Sequence, residues 1–157
     1  MNDLNKALQR LRSATANDRV ITDPAILQVE SIATFETPQK IVAIIKPIST
    51  REVADVVSIA NECAVPVYPV SGGKNWSLGS KVPQRDGVVI DLSLMNNIVA
   101  FDEKMAYITV EPGVTFVQAE RFLQKKKSGL MLDTVGSTPD ASIVGNTAER
   151  GHGMALY

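Results

Sequence analysis

The stretch from Ile41 to Val70 constrains the fold most, because it reads as a strand, a helix and a second strand. The run Ile41–Ile45 is apolar and mostly β-branched, which is typical of a strand buried on both faces. Pro47 ends this strand, and Val67–Val70 is predicted to be the next one. Two strands joined by a helix favour parallel pairing through a right-handed crossover.

The segment between the two predicted strands has the marks of an amphipathic helix. Ser49 and Glu52 stand three residues apart, which is the spacing of a capping box at a helix N-terminus. Pro66 prevents the helix from running into the second strand. Between these signals, apolar side chains recur at helical spacing and share one face: Val53, Val56, Val57, Ala60 and Cys63.

Cys63 is the only cysteine, so the chain cannot form an internal disulfide. Because it lies on the apolar face of the predicted helix, we interpret it as a buried and unreactive thiol rather than a reactive one. A single cysteine with no possible internal disulfide predicts a reducing compartment, and the N-terminus lacks the apolar core of a secretion signal. We therefore expect a cytoplasmic protein.

Length and charge argue against two classes of partner. The chain has 157 residues, enough for one domain with a hydrophobic core, and its formal net charge is -1. Nucleic acid binding usually needs a basic face, so we expect no nucleic acid partner. No apolar run approaches the length of a membrane span, so we expect no membrane association.

The chain divides into a lead-in, residues 1–37, and a main domain, residues 38–157. Helical spacing predicts an N-terminal helix, whereas Pro24 and Pro38 predict irregular structure over residues 17–39. In the main domain we predict a further strand, a hairpin and a second helix that opens with another capping box. These elements are Gly87–Leu92, then Ile98–Phe101 with Tyr107–Val110, and a helix from the pair Thr115 and Gln118.

A glycine-rich loop follows the second predicted strand and could bind an anion. It contains Ser71, Gly72, Gly73, Lys74 and Asn75, preceded by Val70. Glycines let the backbone approach a ligand closely, and successive free N–H groups suit a phosphate. The loop is not a Walker A motif, because Asn75 follows the lysine, and it lacks the Gly-x-Gly-x-x-Gly pattern of a dinucleotide-binding turn. A plain turn remains an open alternative.

A second candidate segment runs from Ser142 to Gly151. It contains two glycines for close backbone approach, an amide donor and acceptor, and a cation that could pair with a phosphate or with Glu149. The residues concerned are Ser142, Gly145, Asn146, Arg150 and Gly151. Taken alone, this composition is better explained by a helix of small residues packed tightly on a sheet.

The remaining polar signals carry no specific chemistry. His152 is the only histidine, and no set of residues with metal-ligand spacing surrounds it, so we predict no metal site. A general base and a structural loop histidine both remain open for His152. Trp76 could cover a ring or simply pack. The lysines 125–127 are interpreted as the solvated end of a helix, where cations suit the helix dipole.

Several of these motifs, in order and in family-like spacing, resemble the FAD-binding domain of the vanillyl-alcohol oxidase / p-cresol methylhydroxylase family. The resemblance covers about residues 38–157. It is carried by Pro47-Ile-Ser-Thr-Arg-Glu-Val, Val67-Tyr-Pro-Val-Ser-Gly-Gly-Lys-Asn, Val89-Ile-Asp-Leu, Val110-Glu-Pro-Gly-Val-Thr and Val144-Gly-Asn-Thr-Ala-Glu-Arg-Gly. It implies an α+β fold of the p-cresol methylhydroxylase type, with small mixed sheets flanked by helices, here as an incomplete domain.

The resemblance also implies roles for both candidate segments. Residues 70–75 would wrap the diphosphate of FAD with backbone N–H groups, and Lys74 could add charge. The second segment, from Ser142 to Gly151, would contact FAD as well. Its residues are Ser142, Gly145, Asn146, Arg150 and Gly151. The turn at 111–114 matches a family turn that supports the fold, and we assign it no chemistry.

Two departures from the family pattern matter. Where some branches attach FAD through a histidine after the double glycine, this chain has Lys74, so this loop should not form that bond. The ending resembles the 4-alkylphenol-oxidising branch up to Gly151, but His152-Gly-Met-Ala-Leu then replaces the Val-Gly-Tyr-Thr that branch typically carries. This departure argues against assigning a phenolic substrate on the resemblance alone.

The resemblance predicts the FAD-binding portion of a flavin-dependent oxidoreductase that oxidises a small organic substrate, an alcohol or a 4-alkylphenol. Family members continue well beyond Tyr157, so we expect a missing C-terminal part or partner subunit and no catalysis by this chain alone. A homo-oligomer is left open. Two alternatives remain: a 2-hydroxy-acid dehydrogenase branch of the family, and a non-catalytic module that binds a nucleotide or a partner.

Overall fold

The computed structural model describes residues 2–32, 38–74, 83, 85–133 and 138–151 of the chain. These residues form helices α1 (Asn2–Thr15), α2 (Pro24–Glu30), α3 (Thr50–Glu62), α4 (Phe116–Lys126) and α5 (Ile143–Ala148). They also form strands β1 (Val20–Ile21), β2 (Ile41–Ile45), β3 (Val67–Val70), β4 (Gly87–Asp91), β5 (Ile98–Asp102) and β6 (Tyr107–Val110). The predictions for Asn75, Trp76 and His152 concern residues outside this described part of the chain.

The larger sheet has four strands in the order β1-β2-β4-β3 and is mixed. Strands β2, β4 and β3 are parallel, and β1 runs antiparallel to β2. The predicted strand–helix–strand unit is present as β2, α3 and β3. Its two strands are parallel but not neighbours, because β4 inserts between them. The direct pairing predicted from the sequence is therefore wrong, since that prediction took no account of the later strand at 87–91.

Both faces of the larger sheet are covered, which is why β2 reads as an uninterrupted apolar run. On one face, α1 and α3 contribute Leu11 and Val56 to a cluster with Ile45 and Val88, all four fully buried. On the other face, Ile44 and Val89 pack with Leu27 of α2. A continuous apolar strand buried on both sides is the expected result for a parallel sheet between helical layers.

The lead-in is more regular than its prolines suggested. Residues 17–39 were predicted to be irregular, yet they contain a 3₁₀ turn at Asn17–Arg19, β1 and α2. Asp23 caps α2 by accepting a hydrogen bond from the N–H of Ala25 at 2.8 Å, and Pro24 occupies the first helical position. Proline is well suited to that position, so it begins this helix instead of breaking one.

The predicted cap of α3 forms only in part. Ser49 accepts a hydrogen bond from the N–H of Glu52, as a capping box requires. Glu52 does not return the bond to Ser49, however. It accepts from the N–H of Ile48 at 2.9 Å and pairs with the guanidinium of Arg19. The charge-assisted bonds from Arg19 hold the carboxylate in a position where the backbone amide that it meets is that of Ile48.

Cys63 ends α3 and is half-buried rather than fully buried as predicted. Its sulfur lies 3.9 Å from a guanidinium nitrogen of Arg10, a neighbour on α1. The apolar stripe of α3 places the side chain beside the core, but α1 covers it only partly.

The smaller sheet is the predicted hairpin of β5 and β6, and it packs on α4. The rings of Phe101 and Phe122 meet edge to face, with centroids 5.5 Å apart and planes at 82°. The second capping box forms in full between Thr115 and Gln118. At the other end of α4, the ammonium of Lys126 lies 5.6 Å from the centre of the Phe122 ring.

Candidate functional site

A groove of about 370 Å³ opens where the parallel strands of the larger sheet end. Strands β2, β4 and β3 all terminate at the same edge, because parallel strands share their direction. The groove is lined by the loop after β3, by Leu92 after β4, by the turn after β6, and by α5 with the residues on either side of it. Ligands of open sheets with parallel strands bind outside the carboxyl ends of the strands.

The first wall is the predicted glycine loop. Val70 is buried and accepts a hydrogen bond from the N–H of Leu92 at 2.8 Å, so β4 fixes the base of the loop. Beyond it, Gly73 has a φ of 60°, a backbone conformation that favours glycine. Among the described residues, no hydrogen bond engages the N–H groups of 71–74. These amides are therefore available to an anionic ligand.

The second wall is α5, which begins at the predicted residue Ser142. The Ser142 hydroxyl accepts a hydrogen bond from the N–H of Gly145 and so caps the helix. The backbone around it is anchored to the start of α4: the N–H of Ile143 donates to Val114, and the N–H of Phe116 donates to Ala141. An isolated bridge pairs Thr115 with Ser142. The position of this wall is thus fixed by α4.

The two predicted segments face each other and touch. A Cβ added at Gly145 would lie 3.3 Å from both Cβ and Oγ of Ser71 and only 2.5 Å from Oγ of Ser142. Across the same groove, a Cβ added at Gly72 would lie 4.0 Å from the carbonyl oxygen of Asp140. Small residues on both sides are what allow the walls to approach this closely.

Most of the predicted site residues that the structure describes line the groove. They are Val70, Ser71, Gly72, Gly73, Lys74, Ser142, Gly145, Asn146 and Gly151. Gly151 also closes α5, because its N–H donates to the carbonyl of Asn146 at 2.7 Å. The structure thus brings together two segments separated by about seventy positions in the sequence.

Arg150 is the exception: its side chain is exposed and it is absent from the groove lining. Its φ of 56° is left-handed, and its N–H donates to the carbonyl of Thr147. With the Gly151 bond, this is the arrangement that ends many helices, where glycine usually stands. Among the described residues, Arg150 pairs with no carboxylate, so the alternative pairing with Glu149 is not formed.

Sequence reasoning missed several apolar residues of the lining and one acid. They are Pro69, Leu92, Pro112, Ala141, Val144, Ala148 and Glu149. Pro112 belongs to the turn to which no chemistry was assigned. That turn reaches the groove because Gly113 packs on the end of β4, where an added Cβ would lie 2.6 Å from the carbonyl oxygens of Leu92 and Ser93. The signal that could have indicated a contact with the groove is that this turn directly follows the predicted strand Tyr107–Val110.

Of the residues that the structure describes, the charged ones at the groove are Lys74 and Glu149, both exposed. In the described part of the chain, no three residues of the types His, Cys, Asp and Glu come together in a group that could hold a metal ion. None of the helices in that part is both long and apolar enough to span a bilayer. The groove therefore offers backbone amides, small hydroxyl and amide side chains and an apolar floor, which suit an elongated, partly anionic ligand.

Residues 41–157 match the FAD binding domain family. The chain is 47% identical over 154 residues to 1'-carboxy-chondrochloren decarboxylase of Chondromyces crocatus, covering 98% of this chain and 28% of that protein. It is 34% identical over 164 residues to the 4-cresol dehydrogenase (hydroxylating) flavoprotein subunit of Pseudomonas putida, covering 99% and 30%. The solved structure of p-cresol methylhydroxylase with substrate bound matches with a TM-score of 0.90 at 33% identity, covering 96% and 30%.

The chain belongs to the FAD binding domain family, and its fold is the p-cresol methylhydroxylase type that the motifs predicted. FAD is the cofactor of the domain, as predicted. The groove fits the cofactor: within the described ranges no hydrogen bond uses the amides of residues 71–74, and a Cβ at Gly72 would stand in the space between the walls. The chain spans about 30% of the length of the relatives it matches.

Proposed function

We propose that this chain is the FAD-binding portion of a flavin-dependent oxidoreductase that oxidises a small organic substrate, an alcohol or a 4-alkylphenol. When bound, FAD supplies an isoalloxazine that accepts a hydride from the substrate. The observation that carries the proposal is the pair of glycine-containing walls that face each other across the groove, in a chain 34% identical to a 4-cresol dehydrogenase flavoprotein subunit.

The groove residues would bind and orient the cofactor. The N–H groups of residues 71–74 would donate hydrogen bonds to the diphosphate, and Lys74 would add a positive charge at its exposed edge. Ser142 and Asn146 would contact the cofactor from the opposite wall. Arg150 would reach the cofactor only from outside the groove lining, so we rank its predicted contact below the others.

The substrate site would lie outside the chain. Among the described residues, the groove lining contains one lysine and one glutamate as its charged groups. These residues form no cluster of titratable groups suited to proton transfer. The exposed apolar residues of the β5–β6 hairpin are suited to contact with a further part of the protein: Val99 is 64% exposed and Met105 is 70% exposed. We expect the 157-residue chain to bind FAD without turnover.

A titration tests the proposal directly. The protein is titrated with FAD, and binding is followed by the change in flavin fluorescence and absorbance. Gly72→Val should abolish binding, because its side chain would occupy the space between the walls while the backbone at Gly72 remains ordinary. Gly129→Ala is the matched control, because nothing lies within 4 Å of its added Cβ. Absence of FAD binding by the wild type, or its persistence in Gly72→Val, contradicts the proposal.

A second reaction is favoured by the relative with 47% identity, which is named a decarboxylase. On this alternative, the protein at its natural length would act on a carboxylic acid and release carbon dioxide. Anaerobic mixing of the flavin-loaded protein at its natural length with a 4-alkylphenol, a primary alcohol, a 2-hydroxy acid or an aromatic carboxylic acid separates the candidates. Bleaching of the flavin without carbon dioxide supports oxidation alone, whereas carbon dioxide release identifies decarboxylation.

A further inference from the structure

An ion pair lies behind the glycine loop, on the side away from the groove. The ammonium of Lys46 is 3.0 Å from a carboxylate oxygen of Asp91, and the side chains are 33% and 19% exposed. Lys46 directly follows β2, and Asp91 is the last residue of β4. The pair therefore links the carboxyl ends of two adjacent parallel strands.

A small pocket of about 60 Å³ separates this pair from the loop. Its wall includes Lys46 and Asp91 on one side and Gly72 and Gly73 on the other. The same two glycines line the groove on their opposite side. The loop is thus a thin backbone wall between two cavities, and it has no side chain of its own at these positions to hold its shape.

Asp91 connects the pair to the loop through β3. In the sheet register it pairs with Val70, the residue from which the loop departs. Its other carboxylate oxygen accepts a hydrogen bond from the N–H of Ser93 at 2.9 Å, which fixes the turn after β4. Between them, the N–H of Leu92 donates to the carbonyl of Val70. Movement of Asp91 would therefore displace the base of the loop.

The backbone of Lys46 is held in place by hydrogen bonds with Arg19. Its N–H donates to the carbonyl of Arg19 at 2.9 Å, and the guanidinium of Arg19 donates to the carbonyl of Lys46 at 3.4 Å. Arg19 in turn forms a two-point pair with Glu52. Glu52 and Arg19 thus connect the start of α3 with the backbone of Lys46, which lines the small pocket behind the loop. Such supporting contacts hold a binding site in its productive shape.

We propose that Lys46 and Asp91 are positioning residues for FAD: their ion pair holds the ends of β2 and β4 together and so keeps the glycine loop in the shape that binds the diphosphate. The inference rests on the proposed role of that loop. Because Asp91 neutralises Lys46 at 3.0 Å, the pair acts through geometry and not as a free positive charge near the cofactor.

Single and double substitutions in the protein at its natural length test this role. Lys46→Met and Asp91→Asn are each expected to weaken FAD binding by about tenfold, measured by flavin fluorescence at a temperature where circular dichroism shows the variant folded. The double variant should be no weaker than either single variant, because both remove the same contact. Lys46→Arg keeps the charge and the reach, and it should bind within about twofold of wild type.

The direction in which Asp91→Asn changes FAD affinity distinguishes a positioning role of the pair from a direct attraction between Lys46 and the diphosphate. If Lys46 attracted the diphosphate through its charge, removing the neighbouring carboxylate would tighten FAD binding, and that result would overturn the proposal. The matched controls are Arg10→Met and Glu62→Gln, which break an exposed pair on α1 and α3 and should leave FAD affinity unchanged.

The remaining outcomes are also decisive. Unchanged FAD affinity in both single variants, with loss of binding in Gly72→Val, refutes the positioning role and leaves the proposed function standing. No FAD binding by the wild type refutes the proposed function itself, and the positioning role falls with it.

Discussion

At the scale of single residues, the glycines near the groove serve different purposes. Gly73 supplies a left-handed backbone conformation within the loop, which favours glycine at this position. Gly145 and Gly113 instead permit close approach: the first lets α5 touch Ser71, and the second lets the turn after β6 sit on the end of β4. Substitutions at these positions should therefore fail in different ways.

Gly113→Ala should destabilise the fold. An added Cβ would lie 2.6, 2.6 and 2.8 Å from three backbone carbonyl oxygens, those of Leu92, Ser93 and Met95, and backbone cannot move aside as a side chain tip can. We expect a loss of about 2–3 kcal/mol in the free energy of unfolding, measured by urea denaturation. Gly129→Ala, whose Cβ meets nothing, should leave stability unchanged or slightly raised. Equal stabilities for the two variants would contradict this account.

These single-residue roles also show how far the sequence could lead. Glycine and polar residues after a strand predicted an anion-binding loop, and that loop does line the groove. The same reasoning grouped Arg150 with the groove, although its backbone serves to end α5 and its side chain lies outside the lining. Composition indicates which residues could bind an anion, but the direction of each side chain depends on the local φ and ψ.

At the scale of elements, most strands and helices could be predicted from the sequence, but the order of the strands in the larger sheet could not. The apolar run of β2, the hairpin and the capping box of α4 are local signals, and the structure confirms them. The insertion of β4 between β2 and β3 is a long-range pairing that no local pattern specifies. α2 was missed because a proline was taken as a break, although Asp23 and Pro24 form a favourable helix start.

The contact between α1 and α3 predicts a pH dependence. A hydrogen bond from the guanidinium of Arg10 to Glu62, at 2.6 Å, lowers the pKa of that carboxyl below its ordinary value, and a further bond from Ser58 acts in the same direction. Since the folded pKa lies below the unfolded one, the pair contributes stability above the unfolded pKa. That contribution is lost as the pH falls through the folded pKa.

Glu62→Gln should therefore flatten the acid side of the stability curve. We expect the free energy of unfolding to fall less steeply in this variant than in wild type between about pH 6 and pH 3, as measured by urea denaturation. All other carboxylates are common to both proteins, so the difference between the curves isolates this pair. Because both side chains are exposed, the difference should shrink at high ionic strength. Parallel curves would show that the pair does not form in solution.

At the scale of the whole molecule, the fold forms the groove from segments that lie far apart in the sequence, and the cofactor would join two of its walls. The loop after β3 belongs to the larger sheet, whereas α5 is anchored to α4 and the smaller sheet packs on that helix. A ligand that contacts both walls binds only when the two parts are correctly placed. If FAD contacts both walls as proposed, its binding is coupled to the stability of the whole chain.

This coupling gives a thermal prediction for the 157-residue chain. A ligand at about 100 times its Kd stabilises the folded state by about 2.7 kcal/mol, which corresponds to a rise in Tm of about 5–10 °C for a chain of this size. The measurement is circular dichroism at increasing temperature, with and without FAD. Gly129→Ala should show the same rise as wild type, and Gly72→Val should show none, because its side chain blocks the groove. A rise in Gly72→Val equal to that of wild type would place the FAD contacts elsewhere on the molecule.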